Sequence, residues 1–214
     1  FRFRLRGPLS GDYIIQNEEY SKISNNLAIK HNYIEDNDVI IIGIDQSSFE
    51  SIGLEYPYNR SLIWSRVIKN LVDANISVIV FDIMFDKELI AQDTIFSKAI
   101  DYAMENKVEI VLAANYNIEK NIADQKFRLI KPSKYIINNT HAKLGLVGSI
   151  NDYDGFIRRY ITVDPTISDI NQDFFYSLGV QAVLSYKNSN FSDLKIPIYN
   201  NQNSFLINFF GPNS

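Results

Sequence analysis

Two near-continuous runs of apolar residues in this chain each end at an aspartate. The run at 39–44 is followed by Asp45, and the run at 78–81 is followed by Asp82. Runs of β-branched residues of this length are typical of strands that are buried on both faces of a parallel sheet. An amphipathic helix lies between them, so a right-handed crossover would make the two strands parallel neighbours. We therefore expect both aspartates at one carboxyl edge of the sheet, the edge at which open α/β sheets bind ligands.

Helical periodicity predicts the intervening helix at 61–75, with Asn59 or Ser61 as its cap. Its predicted buried stripe comprises Leu62, Ile63, Val67, Ile68, Leu71 and Val72, and its predicted solvent face includes Ser65. A second helix is predicted from Asp93, as its cap, to about Asn106. A third buried strand is predicted at 108–114.

From Tyr116 onward the pattern changes to short extended segments joined by turn-rich loops, which favours antiparallel pairing. The predicted segments are 127–130, 144–147 and 157–163, a helix at about 174–186, and a last hairpin of 196–199 and 205–209. The pattern predicts an α/β fold. It consists of a mixed, parallel-containing sheet with flanking helices and an antiparallel extension, in one domain that spans residues 1–214.

Composition narrows the classes of function. The chain has 214 residues, a formal net charge of −4 and no cysteine. The negative charge argues against nucleic-acid binding, and the absence of cysteine excludes disulfides and thiolate chemistry. The sequence has no glycine-rich phosphate loop, no HExxH motif and only two histidines without matching partners. We therefore expect a protein that is not an enzyme.

The strand-end carboxylates are the candidate site. Asp45, Asp82 and Asp86 could supply oxygen ligands to Ca²⁺ or Mg²⁺, with Asp45 and Asp82 as the first choices. Carboxylates brought together need a cation, a proton or an arginine. Arg60, Arg158 and Arg159 are available, so a metal-free network is the alternative. From its place at the start of the helix, Arg60 could pair with Asp45 or Asp82 or contact a ligand.

Five short motifs follow one another in a characteristic order and spacing. They are IDQSSF at 44–49, GLEYPYNR at 53–60, FDIMFD at 81–86, DGFIRR at 154–159 and NFFGP at 208–212. In this order they resemble the CHASE2 family, which consists of extracytoplasmic sensor domains of bacterial receptors, and the resemblance covers nearly the whole chain. It implies that Asp154 joins Asp45 and Asp82 in one cleft, with Arg60 or Arg158 nearby.

The resemblance also implies a function and a location. Such a domain binds a small molecule or an ion outside the cytoplasm and signals to a cyclase, a histidine kinase or a serine/threonine kinase inside. Residues 1–8, of which the first six alternate apolar residues with arginine, would be a juxtamembrane segment that follows a transmembrane helix. An edge strand is the alternative. We expect attachment to the membrane through flanking helices that are absent from this chain.

Two other classes of function stay open on the sequence. A metal-dependent hydrolase could use the strand-end aspartates, and a structural module could use the domain for dimerisation. The identity of the ligand, the effector and a homodimeric state are not fixed by the sequence.

Overall fold

The computed structural model describes residues 5–6, 39–53, 58–120, 125–148, 159–168, 174–194 and 204–206. The chain divides into two compact units, Phe1–Tyr58 and Asn59–Ser214. A single domain over 1–214 stays a prediction.

The described part of the chain contains both helices and strands. The helices are α1 (Gln46–Ile52), a π-helical turn at Arg60–Trp64 that continues into α2 (Ser65–Asp73), α3 (Ile90–Glu105), α4 (Lys134–Asn139), α5 (Leu178–Lys187) and a 3₁₀ turn at Phe191–Asp193. The strands are β1 (Leu5–Arg6), β2 (Ile41–Ile42), β3 (Val78–Phe81), β4 (Glu109–Lys120), β5 (Gln125–Ile130), β6 (Lys143–Leu146), β7 (Arg159–Ile161), β8 (Val163–Ser168), β9 (Phe174–Tyr176) and β10 (Ser204–Leu206).

The first unit contains the apolar run that precedes Asp45. Its strand β2 is two residues long and pairs with β1 in antiparallel orientation. Val39, Ile40 and Ile41 are 73%, 45% and 51% exposed. The expectation that this run is buried on both faces is therefore wrong, because a two-residue strand with one described neighbour offers too little surface to cover these side chains.

The second unit is organised around β4. The first half of β4 pairs in parallel with β3 and β6, and its second half, from Asn115, pairs in antiparallel orientation with β5. This mixed sheet with flanking helices confirms the α/β class. The predicted strand at 108–114 is confirmed, and Ile110 to Ala114 are inaccessible to solvent. The prediction of antiparallel pairing beyond Tyr116 is confirmed for β5. It is wrong for β6, which follows α4 and pairs with β4 in parallel.

The helix predicted at 61–75 is present, but the face that it buries differs from the predicted one. Asn59 Oδ1 caps it by accepting hydrogen bonds from the N–H groups of Ser61 and Leu62 at 2.9 and 3.1 Å. Leu62 is 56% exposed, whereas Ser65 is buried, opposite to the prediction. The reason is the π-helical first turn, whose i→i+5 bonding advances the chain by more residues per turn than an α-helix does.

The core between the helices and the sheet contains an aromatic cluster of Trp64, Phe81, Phe85 and Phe96 among aliphatic side chains. Phe81 at the end of β3 and Phe85 four residues later are 4% and 2% exposed. Both contact Trp64 and Phe96 edge-on or at a tilt, with ring centroids 4.8 to 6.4 Å apart. Such geometries suit the quadrupoles of the rings. These contacts fix the two ends of the segment that carries Asp82.

The C-terminal part forms the antiparallel extension. β7 pairs with β10, and β8 pairs with β9, both in antiparallel orientation. The helix predicted at 174–186 begins only at Leu178, because Phe174–Tyr176 is a strand. α5 packs on β3, β4 and β6, and α3 also contacts β4. The predicted first strand of the last hairpin, 196–199, lies outside the described residues.

Candidate functional site

Asp45 is the N-cap of α1. Its Oδ1 accepts hydrogen bonds from Ser47 Oγ at 2.7 Å and from the N–H and hydroxyl of Ser48, both at 3.0 Å. In return, the Asp45 N–H donates to Ser48 Oγ at 3.3 Å. This reciprocal pair of hydrogen bonds resembles a capping box. In a capping box, side chains at the start of a helix accept hydrogen bonds from backbone N–H groups that have no partner within the helix. The half-buried carboxylate therefore has a structural function of its own.

Asp82 and Asp86 lie in the segment between β3 and α3, which we call the acidic loop (residues 82–88). Both are exposed, and neither makes a hydrogen bond or ion pair with a residue that the structure describes. Buried Phe81 and Phe85 hold the backbone on either side of Asp82. The loop is therefore anchored by buried aromatic residues, and its two carboxylates face solvent. A cation or a polar ligand could reach these carboxylates.

The guanidinium of Arg60 forms a buried ion pair with Asp93, not with either of the expected carboxylates. Arg60 Nη1 bonds Asp93 Oδ1, and the two side chains are 7% and 0% exposed. The Arg60 N–H donates to Gln92 Oε1 at 3.0 Å, and its guanidinium carbon lies 5.3 Å from the centre of the Phe85 ring. The arginine is therefore held by charge, by a hydrogen bond and by a cation–π contact.

The other oxygen of Asp93 is also occupied. Asp93 Oδ2 accepts from Ser133 Oγ at 2.7 Å and from the Leu89 N–H at 2.9 Å. Full use of both oxygens is what a buried carboxylate requires. The prediction of Asp93 as the helix cap was wrong by one turn: α3 begins at Ile90, and Asp93 reaches back to the backbone before it.

This cluster of Arg60, Asp93 and Ser133 supports the acidic loop. The Ser133 N–H donates to the carbonyl oxygen of Phe85 at 2.8 Å, so one residue bonds both the buried carboxylate and the loop backbone. The sequence analysis missed Asp93 and Ser133 as partners of Arg60. One signal was available in the sequence. Asp93 lies in the first turn of α3 on the same face as apolar residues that the helix buries, such as Phe96.

The sequence-predicted site residues fall into three groups. Arg60, Asp82 and Asp86 belong to the second unit and Asp45 to the first. Asp154 and Arg158 lie outside the described residues. Within the ranges the structure describes, no group of three or more histidine or acidic side chains is arranged to hold a metal. Convergence of the carboxylates and a cation site stay predictions.

Among the described residues, no helix is both long and apolar enough to cross a membrane. The family model of the CHASE2 domain matches residues 3–214, so the chain belongs to the CHASE2 family of extracytoplasmic sensor domains. No curated protein and no solved structure matches the chain significantly.

Proposed function

We propose that the chain is the input domain of a bacterial transmembrane receptor, which binds a small ligand or ion outside the cytoplasm and controls a cyclase or kinase inside. The observation that carries this proposal is the CHASE2 match over residues 3–214. Membership of a sensor family favours a binding function over catalysis. The physical mechanism is a shift in population: a ligand that prefers one of two arrangements by about 1–3 kcal/mol changes the output several-fold.

The acidic loop is the proposed place of ligand or cation binding. Asp82 and Asp86 are exposed, and the proposal adds Asp45, Asp154 and Arg158 as further contacts. Arg60 acts by supporting the acidic loop, because its guanidinium is bonded to the buried carboxylate of Asp93. Hard cations such as Ca²⁺ and Mg²⁺ bind oxygen ligands of this kind.

Reporter fusions in the full-length parent protein test the receptor assignment. Alkaline phosphatase or β-galactosidase is inserted at the exposed turn of Asn106 and Lys107, between α3 and β4. We expect phosphatase activity without β-galactosidase activity, since the first enzyme folds actively only outside the cytoplasm. The parent gene should also encode apolar segments of about 20 residues that flank the domain.

The opposite reporter pattern, or a parent without flanking apolar segments, would reject the receptor assignment.

A further inference from the structure

A concave site lies far along the chain from the acidic loop. We call it the α5 cleft; it has a volume of about 240 Å³ and its lining includes Lys143, Tyr176, Gln181, Asn188, Ser189 and Phe191. These residues come from the start of β6, the end of β9, α5 and the turn after α5. The volume is slightly below the range of about 300–1,000 Å³ typical of drug-sized ligands, which indicates a smaller molecule.

The charge in the cleft is balanced. Lys143 Nζ lies 3.0 Å from Glu109 Oε2, and both side chains are only partly exposed. Among the lining residues that the structure describes, Lys143 alone carries a formal charge at neutral pH. Because its ammonium already faces a carboxylate, the cleft has little net charge to attract an anion or a cation. A neutral ligand fits this electrostatic balance best.

The polar groups of the cleft can both donate and accept hydrogen bonds. Gln181 and Asn188 carry side-chain amides that bond no other residue in the described part of the chain. Ser189 Oγ is inaccessible to solvent and has no hydrogen-bond partner there. Groups with this dual capacity match ligand hydroxyls, which also donate and accept.

An aromatic wall and an unusual backbone complete the cleft. The rings of Tyr176 and Phe191 stack with centroids 5.1 Å apart and planes 26° from parallel. Asn188 ends α5 in the left-handed conformation, with φ 46° and ψ 48°, where glycine is the usual residue. An asparagine at this position brings an amide to the rim of the cleft. Stacked rings beside amides suit the apolar faces and polar edges of a small polyhydroxylated molecule.

We propose that the α5 cleft binds a neutral polyhydroxylated small molecule, a monosaccharide or cyclic polyol. This inference rests on the proposed sensor function and names the class of ligand that the domain would sense. It assigns Gln181 and Asn188 to the hydroxyl groups and the Tyr176–Phe191 pair to the apolar face.

Calorimetric titration of the 214-residue chain tests the proposal. The probes are D-glucose, D-galactose, L-arabinose and myo-inositol, with phosphate and acetate as anionic probes. We expect saturable binding of at least one neutral probe and none of the anions. Asn188→Gly and Gln181→Ala should each weaken that binding about fivefold to tenfold, since each removes about one hydrogen bond.

The variants are chosen to leave the fold intact. Glycine adopts the Asn188 backbone without strain, and Gln181 is a partly exposed position on α5. Asn70→Ala, which removes an exposed amide from α2, is the matched control and should bind like the unmodified chain.

Three outcomes overturn the inference: no neutral probe binds, the anions bind instead, or both cleft variants retain full affinity. If the reporter fusions nevertheless place the domain outside the cytoplasm, the proposed sensor function survives this failure.

Discussion

At the scale of single residues, Asp93 has no exposed surface and a partner for each carboxylate oxygen. A buried ion pair of this kind adds little net stability over an apolar pair, because both charges lose their hydration. Removal of one partner is different, since it leaves the other charge buried and uncompensated. The contribution of the pair to stability is therefore measured by removing one of its two partners.

Arg60→Met should lower the free energy of unfolding by about 3–5 kcal/mol, because Asp93 keeps its charge in an interior that no longer neutralises it. Urea denaturation measures the change. Arg66→Met, at an exposed position on α2, is the matched control and should change it by less than about 0.5 kcal/mol. A double-mutant cycle with Asp93→Asn should give a coupling of about 1–3 kcal/mol. Equal effects of the two arginine substitutions would contradict the structural function of the pair.

Asp45 requires a different substitution, because it caps α1 and is also a candidate ligand. Asp45→Ala should cost about 0.5–2 kcal/mol through loss of the cap, whereas Asp45→Asn should keep the cap. If Asp45 binds a cation, Ca²⁺ or Mg²⁺ should stabilise the unmodified chain by about 2.7 kcal/mol at a hundredfold excess over the dissociation constant, and should not stabilise Asp45→Asn. Thermal unfolding with and without each ion measures both effects.

Equal stabilisation of the chain and of Asp45→Asn by the ions, or no stabilisation of either, would reject Asp45 as a cation ligand and leave its capping function.

At the scale of elements, Gly145 sets the distance between β6 and α5. A Cβ atom at this position would lie 2.6 Å from the Cα and 3.2 Å from the backbone nitrogen of Leu178. Backbone atoms cannot move aside as the end of a flexible side chain does. Only glycine therefore lets the helix start this close to the strand.

Gly145→Ala should lower the free energy of unfolding by about 1–3 kcal/mol, because α5 must move off the sheet. Gly148→Ala is the matched control: its nearest new contact, with the Tyr116 ring at 3.6 Å, is ordinary, and its cost should stay below about 0.5 kcal/mol. Urea denaturation of the two variants decides the question. A Gly145→Ala variant as stable as the control would show that the helix has room to move.

At the scale of the whole molecule, local pattern predicted the elements better than their partners. The strand at 108–114 and the helix that begins beside Asn59 were predictable because apolar periodicity is a property of neighbouring residues. The partner of Arg60 was not, since Asp93 lies 33 residues away and nothing local ranks it above Asp45 or Asp82. The exposure of the run at 39–44 was missed for the same reason: apolar sequence does not show whether a neighbour covers it.

The candidate site, like the fold, could be predicted only in part from the sequence. Asp82 was placed correctly at the end of a strand, because the apolar run of β3 ends where polar residues begin. The expectation that this strand is buried on both faces was wrong, since Val80 is 40% exposed. The α5 cleft was not found from the sequence, since its residues come from separate segments. Tyr176 was assigned to a helix, although it lies on β9 and stacks on Phe191.

The length of β4 has a mechanical consequence. Its 12 residues form one continuous strand of about 40 Å. Among the residues that the structure describes, its first half pairs with the parallel strands β3 and β6, and its second half pairs with β5. A strand under tension transmits displacement along its axis with little stretching. A displacement applied near Lys120 would therefore be transmitted along the backbone of β4 to the solvent-inaccessible residues Ile110 to Ala114.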